Sequence, residues 1–133
     1  MNRKFKLGLD IHGVIDKMPE FFSFLSESFV NSGGEVHVIT GSSIERAKQE
    51  LSEFGIKYTH IFSIQDHHKK LGTPTTERHP KWGFPMISDE LWDKTKADYC
   101  SQNEIDLHID DTVNYGKLFS TPFCKLWLNK KYN

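Results

Sequence analysis

Short runs of β-branched and other apolar residues alternate along this chain with segments of helical periodicity. Five such runs are predicted strands: residues 5–11, 35–40, 58–64, 105–109 and 123–128. Strands that alternate with helices form crossover units, in which neighbouring strands run parallel and helices cover the sheet. The pattern therefore predicts an α/β fold with a mostly parallel sheet and helices on both faces.

Residues suited to helix termini mark the predicted helices. Four of them suit helix starts: Pro19, Ser43, Ser88 and Thr112, the last preceding a helix over 113–119. Ser32-Gly33-Gly34 and Gly55 favour helix ends, because glycine readily adopts the left-handed conformation at a helix C-terminus. The chain of 133 residues suits a single domain over residues 1–133.

Helical and strand periodicity both fail over residues 65–87, where His, Lys, Thr, Pro and Gly dominate. Long irregular segments in small domains are usually functional or disordered, so this one is predicted to be a lid or substrate loop. Trp82 or Phe84 could stack on a base or sugar. Five basic residues could attract an anion: Lys69, Lys70, Arg78, His79 and Lys81. A solvated loop anchored by two aromatic residues explains the composition equally well.

Other histidines and aromatic residues have simpler interpretations. A zinc site is disfavoured for His60, His67, His68 and His79, because adjacent histidines seldom point to one metal and no cysteine is suitably spaced. His37 and His108 alternate within predicted strands and are expected in the core or on the surface. Trp92 and Tyr99, at helical spacing, are expected to pack in the interior.

Charge and composition limit the possible partners. The 17 basic and 18 acidic residues nearly cancel, which supplies no broad positive field for nucleic-acid binding. No run approaches the roughly 20 apolar residues that span a bilayer, and residues 1–9 lack the apolar core of a secretory signal. Cys100 and Cys124 alone cannot form a dense disulfide framework. We therefore expect a cytoplasmic protein with reduced thiols and no membrane partner.

Polar residues lie at the ends of three predicted strands: Asp10 and His12, Thr40 and Gly41, and Asp110 and Asp111. Because open α/β sheets bind ligands at the carboxyl ends of their strands, these residues are expected to lie together. Clustered carboxylates need a cation, and hard oxygen ligands favour Mg²⁺. Asp10 and Asp110 are therefore candidate Mg²⁺ ligands, and Asp10 is a candidate nucleophile towards a phosphoryl group.

Four segments resemble, in order and placement, the motifs of the haloacid dehalogenase (HAD) superfamily. They are Asp10-Ile11-His12-Gly13-Val14, Val38-Ile39-Thr40-Gly41-Ser42, Lys96-Ala97-Asp98-Tyr99-Cys100 and Ile109-Asp110-Asp111-Thr112. The resemblance covers about residues 5–128 and implies a three-layer, Rossmann-like (HAD-like) domain with a minimal cap or none. It also implies a Mg²⁺-dependent phosphatase whose substrate is a nucleotide, another small phosphate ester or the phosphorylated end of a larger molecule.

The resemblance implies a role for each matching residue. Asp10 would become an aspartyl-phosphate, and Thr40 with Gly41 would hold the phosphate of the substrate. Lys96 would neutralise charge around the nucleophile and the phosphate. Lys94 is the alternative lysine for this third motif, because its spacing from the fourth motif is also suitable.

The metal-binding and acid/base roles fall on further residues. Asp110 and Asp111 would hold Mg²⁺ directly or through water, together with Asp10 and the backbone carbonyl of His12. Position 12 carries His where most phosphatases of this family have the Asp that protonates the leaving group. An imidazole can act as acid and base near neutral pH, so His12 is expected to take that task.

Two other functions fit the same residues. A phosphate-binding or regulatory module would keep the fold and the metal site but would have lost turnover with the acid/base Asp. Retention of the other motif residues argues against such decay. A phosphotransferase would instead pass the phosphoryl group to an acceptor other than water.

Overall fold

Five parallel strands form one sheet in the computed structural model, which describes residues 3–81, 83–112 and 117–129. The strands are β1 (Lys6–Leu9), β2 (Glu35–Thr40), β3 (His60–Ser63), β4 (Leu107–Asp110) and β5 (Phe123–Lys125). They lie in the order β3-β2-β1-β4-β5, and each neighbouring pair is parallel. The five predicted strands and the parallel sheet are thus confirmed, although most strands are shorter than predicted.

The strand order brings together segments that are far apart in the sequence. Leu9 in β1 is paired with Val38 in β2 on one side and with Ile109 in β4 on the other. The C-terminal ends of β1, β2 and β4 therefore lie side by side, at the edge where open α/β sheets bind ligands. Residues that follow these three ends are consequently neighbours in space.

Four α-helices connect strands in the described part of the chain: α1 (Pro19–Asn31), α2 (Ile44–Phe54), α3 (Ile64–Leu71) and α4 (Asp89–Gln102). The Ser43 hydroxyl accepts a hydrogen bond from the Arg46 backbone N–H at 3.3 Å, and Ser88 caps α4 in the same way. Gly55 ends α2 with a φ of 69°, a conformation that glycine adopts without strain. The helices predicted to begin at Pro19, Ser43 and Ser88 are therefore confirmed. None of the four is long and apolar enough to cross a membrane.

The segment 65–87, predicted to be irregular, begins within a helix. The Ser63 hydroxyl accepts a hydrogen bond from the Asp66 backbone N–H at 3.0 Å and so caps α3. Only Ile64 and His68 of α3 are buried, and because histidine is not an apolar residue, the helical period cannot be read from the sequence. The prediction of a continuous irregular segment is therefore wrong for the first part of the segment, which belongs to α3.

The rest of this segment has little regular structure. Residues 73–81 and 83–88 form no helix or strand, apart from an antiparallel bridge between Arg78 and Pro85. Trp82, a candidate for base stacking, lies outside the described residues. The role of the segment as a lid or substrate loop stays a prediction.

The predicted helix over 113–119 falls partly outside the described residues. Its first four residues lie outside them, and residues 117–118 form a turn. Thr112, expected to cap this helix, donates a hydrogen bond from its hydroxyl to the Asp111 carboxylate at 3.1 Å. The side chain of Thr112 thus contacts Asp111, the residue that follows β4.

Two hydrophobic clusters involve the sheet. The first contains Leu9 and Val38 together with residues of α1 and α2, including Leu51. The second contains Ile39 of β2 and Cys100 of α4. Val38 and Ile39 belong to different clusters because successive side chains of a strand point to opposite faces. Strand β2 therefore packs on both of its faces.

Leu51 and Leu71 form a matched pair for testing the core, since Leu51 is fully buried on α2 and Leu71 is 64% exposed on α3. Leu51→Ala should lower the free energy of unfolding by about 2–5 kcal/mol, because it removes buried methyl groups and leaves a cavity. Leu71→Ala should change it by less than about 0.5 kcal/mol. Urea denaturation followed by circular dichroism measures both values. Equal losses in the two variants would contradict the placement of Leu51 in the core.

Candidate functional site

Carboxylates from two neighbouring strands meet at the C-terminal edge of the sheet. Asp10 directly follows β1, and its backbone N–H donates to the Ile109 carbonyl of β4 at 3.1 Å. Asp110 ends β4, and Asp111 follows it. Side-chain oxygens of Asp10, Asp110 and Asp111 all lie within 4.8 Å of one another. The structure therefore gathers three predicted site residues into one group, the carboxylate cluster.

Lys96 on α4 is a buried cation in contact with the carboxylate cluster. Its ammonium nitrogen lies 3.2 Å from Oδ1 of Asp10 and 2.9 Å from Oδ2 of Asp110, and its side chain is only 2% exposed. Lys94, two positions earlier on the same helix, is exposed to solvent. The helical period explains the difference, because Lys96 shares the buried face of α4 with Cys100, one turn later. Of the two lysines, the structure brings Lys96 to the site.

Several donors hold the Asp110 carboxylate, including the Thr112 backbone N–H at 3.4 Å from Oδ1. Its Oδ2 accepts hydrogen bonds from the Lys96 ammonium and from Nε2 of His108, each at 2.9 Å. Its Oδ1 accepts one from the Asp111 backbone N–H at 2.8 Å. Burial alone would raise the pKa of Asp110, but the His108 hydrogen bond and the Lys96 charge outweigh burial and hold that pKa well below its usual range. Asp110 is therefore ionised at physiological pH.

His108 is a partner of the site that sequence reasoning missed. Burial lowers the pKa of His108, so the neutral imidazole donates its Nε2–H to Asp110. From the sequence, His108 was expected only in the core or on the surface, and the structure places it in the core. One signal for the contact exists in the sequence: His108 lies two residues before Asp110, on the same face of β4.

Asp10 has a less favourable electrostatic environment than Asp110. Its Oδ1 accepts a hydrogen bond from the Ile11 backbone N–H at 2.9 Å. Burial raises the pKa of Asp10 well above its usual range; the Lys96 charge lowers it, and the charges of Asp110 and Asp111 raise it. Among the described residues, two of the three clustered carboxylates contact one buried ammonium group, and the third lies beside them. A further cation would reduce the repulsion between them.

A glycine makes room for Asp111 at the edge of the carboxylate cluster. Gly13 has a φ of 86°, in the left-handed region that favours glycine. A β-carbon at this position would also overlap the Asp111 carboxylate. Partial burial and the hydrogen bond and charge of Asp110 raise the pKa of Asp111. Backbone conformation and space therefore both require glycine at position 13.

Thr40 and Gly41, the residues predicted to bind phosphate, lie at the end of β2, the strand next to β1. Thr40 is buried, and its hydroxyl oxygen accepts a hydrogen bond from the Ser42 backbone N–H at 3.2 Å. That bond leaves the hydroxyl hydrogen available to another acceptor. A β-carbon on Gly41 would lie 2.5 Å from the ring of Trp92, so this indole packs directly against the turn. We call Thr40, Gly41 and Ser42 the threonine turn.

The His12 side chain contacts α2 instead of the carboxylate cluster. Its Nε2 lies 2.8 Å from Oε2 of Glu50, and the imidazole is 45% exposed. The other Glu50 oxygen lies 3.3 Å from Nε of Arg46. Among the described residues, the ligand atoms that converge on Asp10 do not include the His12 ring. Sequence reasoning missed Glu50; its spacing of four residues from Arg46 signals that ion pair but not the contact with His12.

A cavity of about 750 Å³ lies beside these strand ends. Its lining includes His12 and Gly41 from the strand ends, Glu50 from α2, Trp92 from α4 and Phe84 from the irregular segment. Trp92 was expected only to pack in the interior, and the structure shows that it also lines this cavity. Its helical spacing with Tyr99 gives no indication of that second role.

The histidines considered for zinc do not form one site. Among the described residues, no three of these four have converging ring nitrogens: His60, His67, His68 and His79. Ligand atoms of Glu35, His37 and His60 do converge, at the opposite end of β2 and β3. There Nε2 of His37 lies 2.9 Å from Glu35, and its Nδ1 lies 2.7 Å from the Tyr99 hydroxyl. This set is separate from the carboxylate cluster.

Most of the predicted site residues lie at one edge of the sheet. Lys96 contacts Asp10 and Asp110, and Asp111 lies beside these two carboxylates, whereas the His12 side chain is turned towards α2. Comparison of the chain with protein-family models, with curated proteins and with solved structures gives no match. What can be inferred about function therefore depends on the chemistry of these residues.

Asp10 and Asp110 should respond oppositely to the loss of their charge in the metal-free protein. The pKa of Asp10 is raised on folding, so its contribution to stability falls as pH rises above about 4, the unfolded value, towards the folded value. Asp10→Asn removes the buried negative charge that lowers stability at pH 7, so it should raise the melting temperature at that pH. The pKa of Asp110 is lowered, so its contribution is present above about pH 4 and is lost on acidification.

Asp110→Asn should accordingly lower the free energy of unfolding at pH 7 by about 3–5 kcal/mol, because it leaves Lys96 with one carboxylate fewer in the interior. Thermal and urea denaturation in EDTA between pH 4 and pH 8 measure both variants. A lower melting temperature for Asp10→Asn at pH 7 would contradict the electrostatic description of the site.

Proposed function

We propose that this protein is a Mg²⁺-dependent phosphatase, a phosphoric monoester hydrolase of the HAD-like type with Asp10 as its nucleophile. One observation carries the proposal: buried Lys96 joins carboxylates from two adjacent strand ends, with Asp111 at the edge of the cluster. Two carboxylates would suffice for a structural contact with Lys96. A third, at the ligand-binding edge of a parallel sheet, supports a site that takes up a cation and an anionic substrate.

The proposal includes a finer description of the fold. Helices α1 and α2 contribute to one hydrophobic cluster and α4 to the other, which supports a three-layer, Rossmann-like domain. Residues 65–87, including most of α3, would be a lid small enough to count as a minimal cap. Cys100 and Cys124 are both free thiols, which supports the proposed cytoplasmic location.

The carboxylate cluster suits Mg²⁺ in its donor chemistry. Asp10, Asp110 and Asp111 offer only carboxylate oxygens, the hard ligands that Mg²⁺ prefers, within 4.8 Å of one another. The backbone carbonyl of His12 is a further proposed ligand. When bound, Mg²⁺ would neutralise charge on these carboxylates and on a phosphate group.

In the proposed reaction, a carboxylate oxygen of Asp10 attacks the phosphorus atom, and the bond from phosphorus to the ester oxygen breaks. The leaving oxygen takes up one proton, and an aspartyl-phosphate remains on Asp10. A water molecule then attacks the phosphorus and gives up a proton, the bond to Asp10 breaks, and inorganic phosphate leaves. Lys96 and the threonine turn would hold the phosphoryl oxygens through both steps.

His12 is the proposed acid for the first step and the proposed base for the second. Its Nε2 contacts Glu50 at 2.8 Å, so Nδ1 is the atom proposed to exchange the proton. The imidazole also lines the cavity, where the leaving group would lie. Acid–base assistance of this kind is typically worth about 10²–10⁴-fold in rate.

A phosphate-binding or regulatory module is the second candidate function. The contact between His12 and Glu50 favours it, because this contact turns the imidazole towards α2. Such a module would bind Mg²⁺ and phosphate without turnover. A phosphotransferase would share the first step of the proposed reaction and pass the phosphoryl group to an acceptor other than water.

The two lysines of α4 test the environment of the nucleophile. With Mg²⁺ and para-nitrophenyl phosphate, Lys96→Met should lower kcat/KM by at least about 100-fold, because it removes the cation beside Asp10. Lys94→Met, the exposed matched control, should stay within about twofold of the wild type. Asp10→Asn should abolish hydrolysis. Full activity of Asp10→Asn would refute the mechanism.

Replacement of His12 separates the two candidate functions in a panel of phosphate esters, each with and without Mg²⁺. For a phosphatase, His12→Ala should lower kcat by about 10²–10⁴-fold, because acid–base assistance is lost. His12→Asp should retain turnover. An inert wild type together with an active His12→Asp variant would establish the binding module instead. Wild-type turnover in His12→Ala would remove His12 from the mechanism.

A further inference from the structure

The cavity beside the threonine turn is large enough for the leaving group of a phosphate ester. Its volume of about 750 Å³ lies within the range of about 300–1,000 Å³ that is typical of small-molecule sites. Gly41 and Ser42 of the threonine turn belong to its lining. An ester whose phosphate lies at this turn would therefore place its leaving group in the cavity.

Three flat side chains, His79, Phe84 and Trp92, form a nearly parallel series along the cavity, which we call the aromatic wall. The ring centroids of His79 and Phe84 lie 4.9 Å apart with planes inclined by 23°. Those of Phe84 and Trp92 lie 6.2 Å apart with planes inclined by 15°. All three residues line the cavity and are only partly buried. Neighbouring rings of this series face each other, so a planar heteroaromatic ring can stack at an end of the series or pack against its ring edges.

Trp92 connects the aromatic wall to the threonine turn. Its ring would lie 2.5 Å from a β-carbon on Gly41, so the indole is in direct contact with the turn. The aromatic wall therefore begins where the phosphate of the substrate is expected to lie. A ligand that holds a phosphate at the turn can reach the wall without any rearrangement of the sheet.

The charged residues of the cavity favour a leaving group without further phosphates. Glu50 and Asp89 are acidic, and Arg46 lies 3.3 Å from a Glu50 oxygen. Additional phosphate groups would be repelled by these two carboxylates. A nucleoside carries no charge and would not be repelled. Gln65 and Ser42 add groups that can donate hydrogen bonds to a base and accept them from it.

We propose that the cavity binds the nucleoside part of a nucleoside monophosphate, with its base stacked on the aromatic wall. The inference rests on the proposed function, because that function places the phosphate at the threonine turn. A sugar phosphate has no planar ring and would make no use of Phe84 or Trp92. The base therefore supplies most of the discrimination between substrates.

The Asp10→Asn protein with Mg²⁺ allows binding to be measured without turnover. Adenosine 5′-monophosphate and ribose 5-phosphate share the phosphate and the sugar and differ in the base. Isothermal titration calorimetry should give a Kd at least about tenfold lower for adenosine 5′-monophosphate, which is near the lower end of what base stacking supplies in other proteins. Equal Kd values, or no binding of either compound at millimolar concentration, would overturn the proposal.

Further variants of the Asp10→Asn protein test which residues cause the preference for adenosine 5′-monophosphate. Phe84→Leu keeps an apolar side chain but removes the ring, and it should bring the two Kd values within about threefold of each other. Phe24→Leu, on α1 at a position 70% exposed, is the matched control and should keep the full preference. His79→Ala tests the aromatic wall a second time if circular dichroism shows that Phe84→Leu is unfolded. A preference unchanged in the wall variants would overturn the proposal.

Hydrolysis of para-nitrophenyl phosphate by the wild type with Mg²⁺ tests the proposed function separately. Hydrolysis without any preference for adenosine 5′-monophosphate would refute the nucleoside site and leave the phosphatase standing. A clear preference in binding without hydrolysis of any ester would support the nucleoside site and refute the phosphatase.

Discussion

The ammonium group of Lys96 lies between two buried carboxylates that would otherwise repel each other inside the protein. Asp10 and Asp110 follow or end neighbouring strands, 3.2 and 2.9 Å from this nitrogen. Loss of Asp110, the carboxylate whose ionised form is stabilised here, is expected to cost about 3–5 kcal/mol. Helix α4 is therefore held at the ends of β1 and β4 by charge, and it packs through Cys100 against Ile39 of β2. The cavity depends on the same contact, because α4 also carries Trp92 to the threonine turn.

The same arrangement leaves the site with more negative than positive charge. Lys96 and His108 stabilise the ionised form of Asp110, whereas burial raises the pKa of Asp10. Repulsion between buried carboxylates lowers the stability of the folded state, and a cation that bound only the folded state would raise it. The cavity has a different chemistry, in which the flat rings of the aromatic wall lie with two acidic residues and one arginine. His12 lies where the two regions meet, in contact with Glu50 and along the cavity.

Elements were predictable from the sequence where their signals act within a few residues. Strand β2 has its predicted bounds, and Ser43 and Ser88 cap helices as expected, because β-branched runs and capping side chains act locally. Helix α3 was missed because its buried stripe consists of Ile64 and His68, and a buried histidine resembles a surface residue in the sequence. The site shows the same division. Acidic residues at strand ends are visible in the sequence. His108, by contrast, contacts Asp110 because alternate side chains of β4 lie on the same face of the sheet.

The sequence by itself determined the order of strands and helices, and it placed acidic residues after the strands that end at the binding edge. Only the tertiary structure decided that Lys96 and not Lys94 meets Asp10, that the His12 ring turns to Glu50, and that an indole borders the threonine turn. The physical reason is the separation along the chain over which each kind of interaction acts. Propensity and capping depend on neighbours along the chain, whereas ion pairing, burial and ring stacking depend on which side chains share one volume of the folded protein.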